Sequence, residues 1–332
     1  MSRAWVIHEY AGFQGLSLEN VEQKPPGPGQ VRLRIEAFAL NWGDMDLMHD
    51  RYSFSFTRFP AKIGMEAAGI VEELGDGVTG IEVGQRYCTL PYFYLDNGAS
   101  GDSLVIEPQF LARAPDGLSA VESASIWMQY LTAYYPIVEL SKAAPGKNFL
   151  VTAATSTAGS AALEWGRLCG ARMIGTTRFA KNTDYLKDMG ADHVLVTEKA
   201  GWADELKEIT QGEGLCAAFD PVGGGMISQY AAHMGQNAHI YFYGSLDEQW
   251  PSLPVVEMFQ TNTGFYAYSL FHYVQDPAMC EKGKERVYAA LADGSIRPRV
   301  DKVYPMEGYK EAWEYLSQPR DTHGKVVIET GL

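Results

Sequence analysis

Residues 147–181, KNFLVTAATSTAGSAALEWGRLCGARMIGTTRFAK, constrain the fold more than any other stretch. The apolar, β-prone run at 149–151 reads as a buried strand. Seven small residues follow at 153–159. From Ser160, apolar side chains at Ala161, Ala162, Trp165 and Leu168 recur with helical spacing until Gly170. A second apolar run at 172–176 is another strand. Strand, small-residue turn, helix and strand make a βαβ unit. Its turn sets the unpaired N–H groups of a helix start in front of the sheet, an arrangement that binds phosphate. The G-x-G-x-x-G pattern of dinucleotide turns is incomplete, because Ser156 and Thr157 stand where glycine is expected and only Gly159 remains. On this stretch alone, a βαβ unit without a ligand stays open.

The alternation continues. Strands are expected at 193–196, 216–219, 239–242 and 265–268, with helices at 182–189, 202–210 and 226–234, which implies an α/β, doubly wound parallel sheet. Residues 1–120 differ. They offer short strands at 4–8, 31–39, 67–74, 86–90 and 103–106, punctuated by Gly and Pro, as in a barrel-like β domain. Ser119 and Glu122 form a capping box that opens a helix of about four turns towards Tyr135. After 275 the alternation ends, leaving helices at 281–293 and 307–316 and a last strand at 325–328. This tail is expected to rejoin the first part. The doubly wound domain, 121–275, is then an insertion in a catalytic domain made of 1–120 and 276–332, with ligand in the cleft between them.

The formal net charge of −14 opposes binding to nucleic acid or to anionic membranes. Cys88, Cys169, Cys216 and Cys280 are widely separated, without metal-ligand spacing, as suits a reduced compartment. No apolar run of about 18 residues occurs, and MSRAWVIHEY has no leader-like core, so a cytoplasmic protein without a membrane span is expected.

Several segments, in order, carry a resemblance: NWGD at 41–44, GMEAAG at 64–69, GQR at 84–86, LTAY at 131–134, AATSTAG at 153–159, GAD at 190–192, DPVG at 220–223 and GKVV at 324–327. The chain resembles the medium-chain dehydrogenase/reductase superfamily, and within it the zinc-free quinone oxidoreductase-like branch. The resemblance implies a Rossmann domain carrying NADP(H), inserted in a GroES-like β-barrel catalytic domain, and a hydride-transfer enzyme that is often a homodimer. Zinc-dependent members place a Cys and a His where this chain has Asn41 and Met65, and use a four-cysteine cluster that the lone Cys88 of the first 168 residues cannot form. An amide and a thioether are poor zinc ligands, so no metal is expected. Glu66 reads as a structural hydrogen-bond partner. Without a Lewis acid, hydride addition to a small electrophile, a quinone or an α,β-unsaturated carbonyl compound, is the expected chemistry. An NADPH-binding protein without turnover and a zinc-type alcohol dehydrogenase are the alternatives.

For catalysis the expected residues are Asn41, which the resemblance brings to the nicotinamide ribose or the substrate, Asp44, and Tyr52 as a donor to a substrate carbonyl. Helix capping is the plain role for the first two and an aromatic lid for the third. Tyr92 and Tyr94 are alternatives to Tyr52. Cofactor contacts are expected from Asn41, Thr132, Ser156, Thr157, Ala158, Gly159, Gly223, Tyr243, Gly244, Ser245 and Lys325. Thr177, Arg178 and Lys181 end the second strand of the βαβ unit, where NAD-specific sites carry an acid. Basic residues there favour the 2′-phosphate of NADPH. The aromatic run 265–271 reads equally as cleft wall or as a sheet edge that pairs across a dimer.

Overall fold

The computed structural model describes residues 2–92, 97–247 and 249–332. The chain divides into two units, Met1–Met128 with Lys284–Leu332, and Gln129–Gly283. Both dividing lines fall later than the expected 120 and 275. Each lies inside a helix, Trp127–Tyr134 and Pro277–Ala292, where no change of pattern marks it.

The first unit begins with β1 (Ser2–Ile7), β2 (Leu16–Val21), β3 (Val31–Ala39), β4 (Ala61–Lys62), β5 (Ala67–Leu74), β6 (Arg86–Thr89), β7 (Ser103–Ile106) and β8 (Leu111–Arg113). β2, β1 and β4 form a small sheet. β3 is the hub of a larger one, pairing with β5 and β7. Its alternation is literal. Val31, Leu33, Ile35 and Ala37 are buried, while Arg32 and Arg34 lie outward beside Glu72 on β5. A short helix, α1 (Trp42–Met48), follows β3 directly.

The second unit is a six-stranded parallel sheet of β9 (Asn148–Val151), β10 (Arg172–Thr177), β11 (His193–Val196), β12 (Leu215–Asp220), β13 (Met234–Phe242) and β14 (Gly264–Ala267). Its order is β11-β10-β9-β12-β13-β14, the 3-2-1-4-5-6 order of a Rossmann fold. Leu150, Ile174, Leu206, Leu215, Ile227 and Ile240 pack in one buried cluster with Trp202 and Tyr230. The switch point lies between β9 and β12. There the Thr152 hydroxyl donates to Asp220 at 2.7 Å and the Tyr230 hydroxyl at 2.8 Å. Asp220 also accepts from the Val222 N–H at 2.7 Å, which fixes the turn leaving β12.

The chain returns to the first unit with β15 (Val300–Pro305) and β16 (Lys325–Glu329). β16 runs antiparallel to β3, with Val327 opposite Ala39. A GroES-like β domain thus carries an inserted Rossmann domain. The helix expected from Ser119 to Tyr135 is broken. Its capping box is present, with Ser119 Oγ and the Glu122 carboxylate bonded reciprocally, but the helix ends at Ser123 and a new one starts at Trp127. The second start is capped from afar, because Glu66 accepts from the Met128 N–H at 2.9 Å. No helix among the described residues is long and apolar enough to cross a membrane.

Candidate active site

At the cofactor turn of the second unit, α2 (Thr157–Leu168) starts three residues before the expected Ser160. Ser156 is its N-cap, and its Oγ accepts from the Gly159 N–H at 3.1 Å. That bond removes the Gly159 N–H from the expected donors and leaves the Ser156 hydroxyl its own proton to donate. The open donors of the first turn are then the N–H groups of Thr157 and Ala158. Gly159 serves close packing instead. A Cβ there would meet Ala154 Cα at 2.8 Å and the Ala153 carbonyl oxygen at 2.9 Å. The left-handed residue of the turn is Ala153, with φ 45°, a conformation glycine adopts at lower cost.

Tyr243 follows β13. Its ring stacks on Phe219, with centroids 3.9 Å apart. Its hydroxyl is buried beside Ser156 and makes no hydrogen bond of normal geometry among the described residues. A buried hydroxyl left over at a helix start fits an oxygen-rich ligand such as a pyrophosphate. Gly223 and Gly224, with φ 77° and 52°, form the turn after β12. The loop after β13 is laced to it by the Leu246 N–H to the Pro221 carbonyl and the Asp247 N–H to the Val222 carbonyl. Gly244 lies against Pro221, and the Ser245 hydroxyl donates to the Asp247 carbonyl at 3.0 Å, inside its own loop. Thr132 sits in the helix Trp127–Tyr134 and is buried.

At the end of β10, Arg178 and Lys181 are both exposed. They flank the Phe179 ring, at 5.3 Å and 5.6 Å from its centroid. Thr177 is corrected. It is buried, and its hydroxyl accepts from Asn182 Nδ2 at 2.9 Å, closing the strand end. Its own proton faces the Phe179 carbonyl at 3.4 Å, inside the same turn. The two cations remain.

In the first unit, Asn41 is the N-cap of α1 and closes a capping box with Asp44, although its side chain falls short of a full capping hydrogen bond. The Asp44 carboxylate accepts from the Asn41 N–H at 3.1 Å. Asp44 has no exposed surface, so as placed its carboxylate is not open to a ligand. Burial, with Glu66 adding to it, raises its carboxyl to about 7 against the opposing Asn41 and Lys325. Its other oxygen is buried facing the Gly64 backbone, without a hydrogen bond of full geometry.

The register that sets Val327 opposite Ala39 sets Lys325 across from Asn41. Lys325 Nζ donates to Asn41 Oδ1 and, at 2.7 Å, to Glu66 Oε2. Gly324, with φ 138°, precedes it; a Cβ there would meet the Arg299 carbonyl oxygen at 2.7 Å. The GK pair is thus one glycine needed by the strand and one cation delivered to Asn41. Tyr52 is half-buried with its ring over Gly43. Burial first, then Asp44 and Asp46, hold its phenol above the ordinary range. It stays neutral and able to donate. Tyr92 is corrected, because its hydroxyl donates to the carbonyls of Gly64 and Asn97 in the core. Tyr94 lies outside the described residues.

The residues present do not fit zinc. An ammonium stands against the Asn41 oxygen, Met65 is a buried thioether, and burial pushes the Cys88 thiol up to about 12. Among the described residues, no three His, Cys, Asp or Glu gather as a ligand set.

Two family models match. The alcohol dehydrogenase GroES-like domain covers residues 27–106 and the zinc-binding dehydrogenase covers 158–276. The second match includes neither Asn41 nor Met65. With the inserted Rossmann order, these matches place the chain in the medium-chain dehydrogenase/reductase superfamily of oxidoreductases. It is 28% identical to 2-haloacrylate reductase of Burkholderia sp over 99% of both chains. A Pseudomonas syringae quinone oxidoreductase superposes with a TM-score of 0.91 at 23% identity, over 99% of this chain and 100% of that one. A mycobacterial protein complexed with NADPH gives 0.89 at 26%, with the same coverage.

Proposed function

We propose that the protein is an NADPH-dependent reductase of α,β-unsaturated carbonyl compounds or quinones that works without a metal ion. The observation that carries this reading is the Lys325 ammonium, buried against Asn41 and Glu66. A hydride-transfer fold with an organic cation at that position has no Lewis acid for simple alcohols, but it has hydrogen-bond donors for a carbonyl oxygen. When bound, NADPH supplies the hydride. Hydride addition to a conjugated alkene moves negative charge onto the carbonyl oxygen, which modest, prepositioned donors stabilise. The 2-haloacrylate reductase relative is named for a conjugated alkene of this kind.

In this reading the pyrophosphate rests on the N–H groups of Thr157 and Ala158 and on the Tyr243 hydroxyl. Gly223, Gly224 and Gly244 let backbone approach the dinucleotide, and Thr132 and Ser245 border it. Arg178 and Lys181 take the 2′-phosphate, which guanidinium pairs by two hydrogen bonds. Asn41 and Tyr52 serve the reacting end, Tyr52 as a neutral donor. The working form is a homodimer in the cytoplasm. The test is NADPH oxidation against a panel of enones, acrylates and quinones, with primary alcohols and NADP+ in the reverse direction. Turnover of conjugated electrophiles without alcohol oxidation is expected. Efficient alcohol oxidation by the metal-free protein refutes the reading.

A further inference from the structure

The polar atoms around Asn41 fix which way its amide faces. An ammonium carries three donors and no acceptor, so the amide atom against Lys325 Nζ is the oxygen, Oδ1. The acceptor end of Asn41 is therefore committed. The donor end is not. Asn41 Nδ2 lies 3.4 Å from Glu66 Oε2, at the limit of a hydrogen bond, and makes no other among the described residues. Asn41 itself is only half-buried.

Lys325 and Glu66 are held as firmly as their buried charges require. Their side chains are 2% and 1% exposed. Glu66 uses both oxygens, Oε1 on the Met128 N–H at 2.9 Å and Oε2 on Lys325 at 2.7 Å. The carboxylate cannot turn without abandoning a helix start. The ammonium cannot withdraw without leaving that carboxylate buried and unpaired. A cation on the amide oxygen also polarises the amide, so its N–H is a stronger donor than a free amide's.

We propose that Lys325 and Glu66 are positioning residues that lock Asn41 as a hydrogen-bond donor to an oxygen of the bound ligand. That oxygen belongs to the nicotinamide ribose or to the carbonyl of the electrophile. The inference rests on the reductase reading only for the identity of this ligand. It excludes Asn41 as an acceptor from a ribose or substrate hydroxyl.

The experiment uses the full chain and the variants Asn41→Asp, Asn41→Ala, Lys325→Arg and Lys325→Met. Three quantities are read: the NADPH dissociation constant by fluorescence titration, kcat and KM for an electrophile the wild type reduces, and the Asn41 side-chain 1H–15N signal, identified by its loss in Asn41→Asp. Asp at 41 keeps a partner for Lys325 and removes the donor, but it also sets a carboxylate oxygen beside Glu66 Oε2, so Asn41→Ala, which removes the amide without adding charge, must lower the same quantity. If the donor serves the ribose, Asn41→Asp weakens NADPH binding by about tenfold. If it serves the carbonyl, kcat falls by about a hundredfold while NADPH affinity and KM hold. Lys325→Arg keeps most of whichever quantity Asn41→Asp lowers, and Lys325→Met loses it. The wild-type amide signal moves on adding NADPH in the first case, and on adding electrophile with NADP+ in the second. Retention of both kcat and NADPH affinity in Asn41→Asp, or an amide signal that neither ligand moves, overturns the proposal. If the wild type reduces no electrophile, the reductase reading fails alone. The NADPH titration and the amide signal then decide this inference, an unmoved signal overturning it.

Discussion

Among single residues, Asp44 and Arg178 give the most direct readings. The Asp44 carboxyl titrates at about 7 in the fold against 3.8 ordinarily. Between those values the folded chain holds a proton that the unfolded chain has released. The Asp44 contribution to stability therefore falls as pH rises from about 4 to about 7, by at most about 1.4 kcal/mol per pH unit, and is constant above. Asp46, raised to about 6 chiefly by burial, acts in the same direction. Asp44→Asn should flatten the pH dependence of urea unfolding in that window; unchanged slopes would show that the Asp44 carboxyl is ionised throughout. Arg178→Ala should weaken NADPH binding and leave NADH nearly unchanged, since only NADPH carries the 2′-phosphate. Equal loss for both cofactors would remove Arg178 from the phosphate site. The sequence pointed to Arg178 through the missing acid after β10. It also suggested hydroxyl help from Thr177, but that hydroxyl is buried and faces Asn182 and the Phe179 carbonyl.

The elements were legible where their period was strong and blurred where small or polar residues erased it. The strand at 193–196 matches β11 residue for residue. The start of α2 was placed late because Thr157, Ala158 and Gly159 have no apolar period, and only the cap at Ser156 marks the boundary. Ser156→Ala should cost about 1 kcal/mol in chemical unfolding and weaken NADPH binding, since the first turn frays where the pyrophosphate rests. A variant as stable as wild type would mean that the cap is redundant. β2, β4, β8 and β15 leave no clear mark in the sequence. β4 and β8 have two and three residues, too short to show alternation. β15 carries exposed Lys302 and Val303 along its length, so no buried face announces it. The break at Ser123 was invisible because the residue that caps the next helix, Glu66, is far away in sequence.

For the whole molecule, the domain order and the inserted sheet were legible because alternation switches on and off along the chain. The contact of Lys325 with Asn41 was not, since 284 residues separate the pair and only the pairing of β16 with β3 joins them. Quaternary structure is a further proposal at this scale. Among the described residues β14 pairs only with β13. Tyr266 on this edge strand and the nearby Val256 and Phe259 are 49%, 66% and 80% exposed. An unpaired edge beside apolar surface suits a second copy. Analytical ultracentrifugation should find two chains for the wild type and one for Tyr266→Lys with Phe259→Glu; a monomeric wild type would contradict the dimer. The most direct test of metal-free hydride transfer is NADPH oxidation by chelator-dialysed protein with a 2-substituted acrylate, an enone and a quinone, with zinc measured on the same sample. Full turnover of at least one of these electrophiles at negligible zinc is expected. Activity that disappears with about one zinc per chain and returns on adding it would contradict the assignment of that position to Lys325.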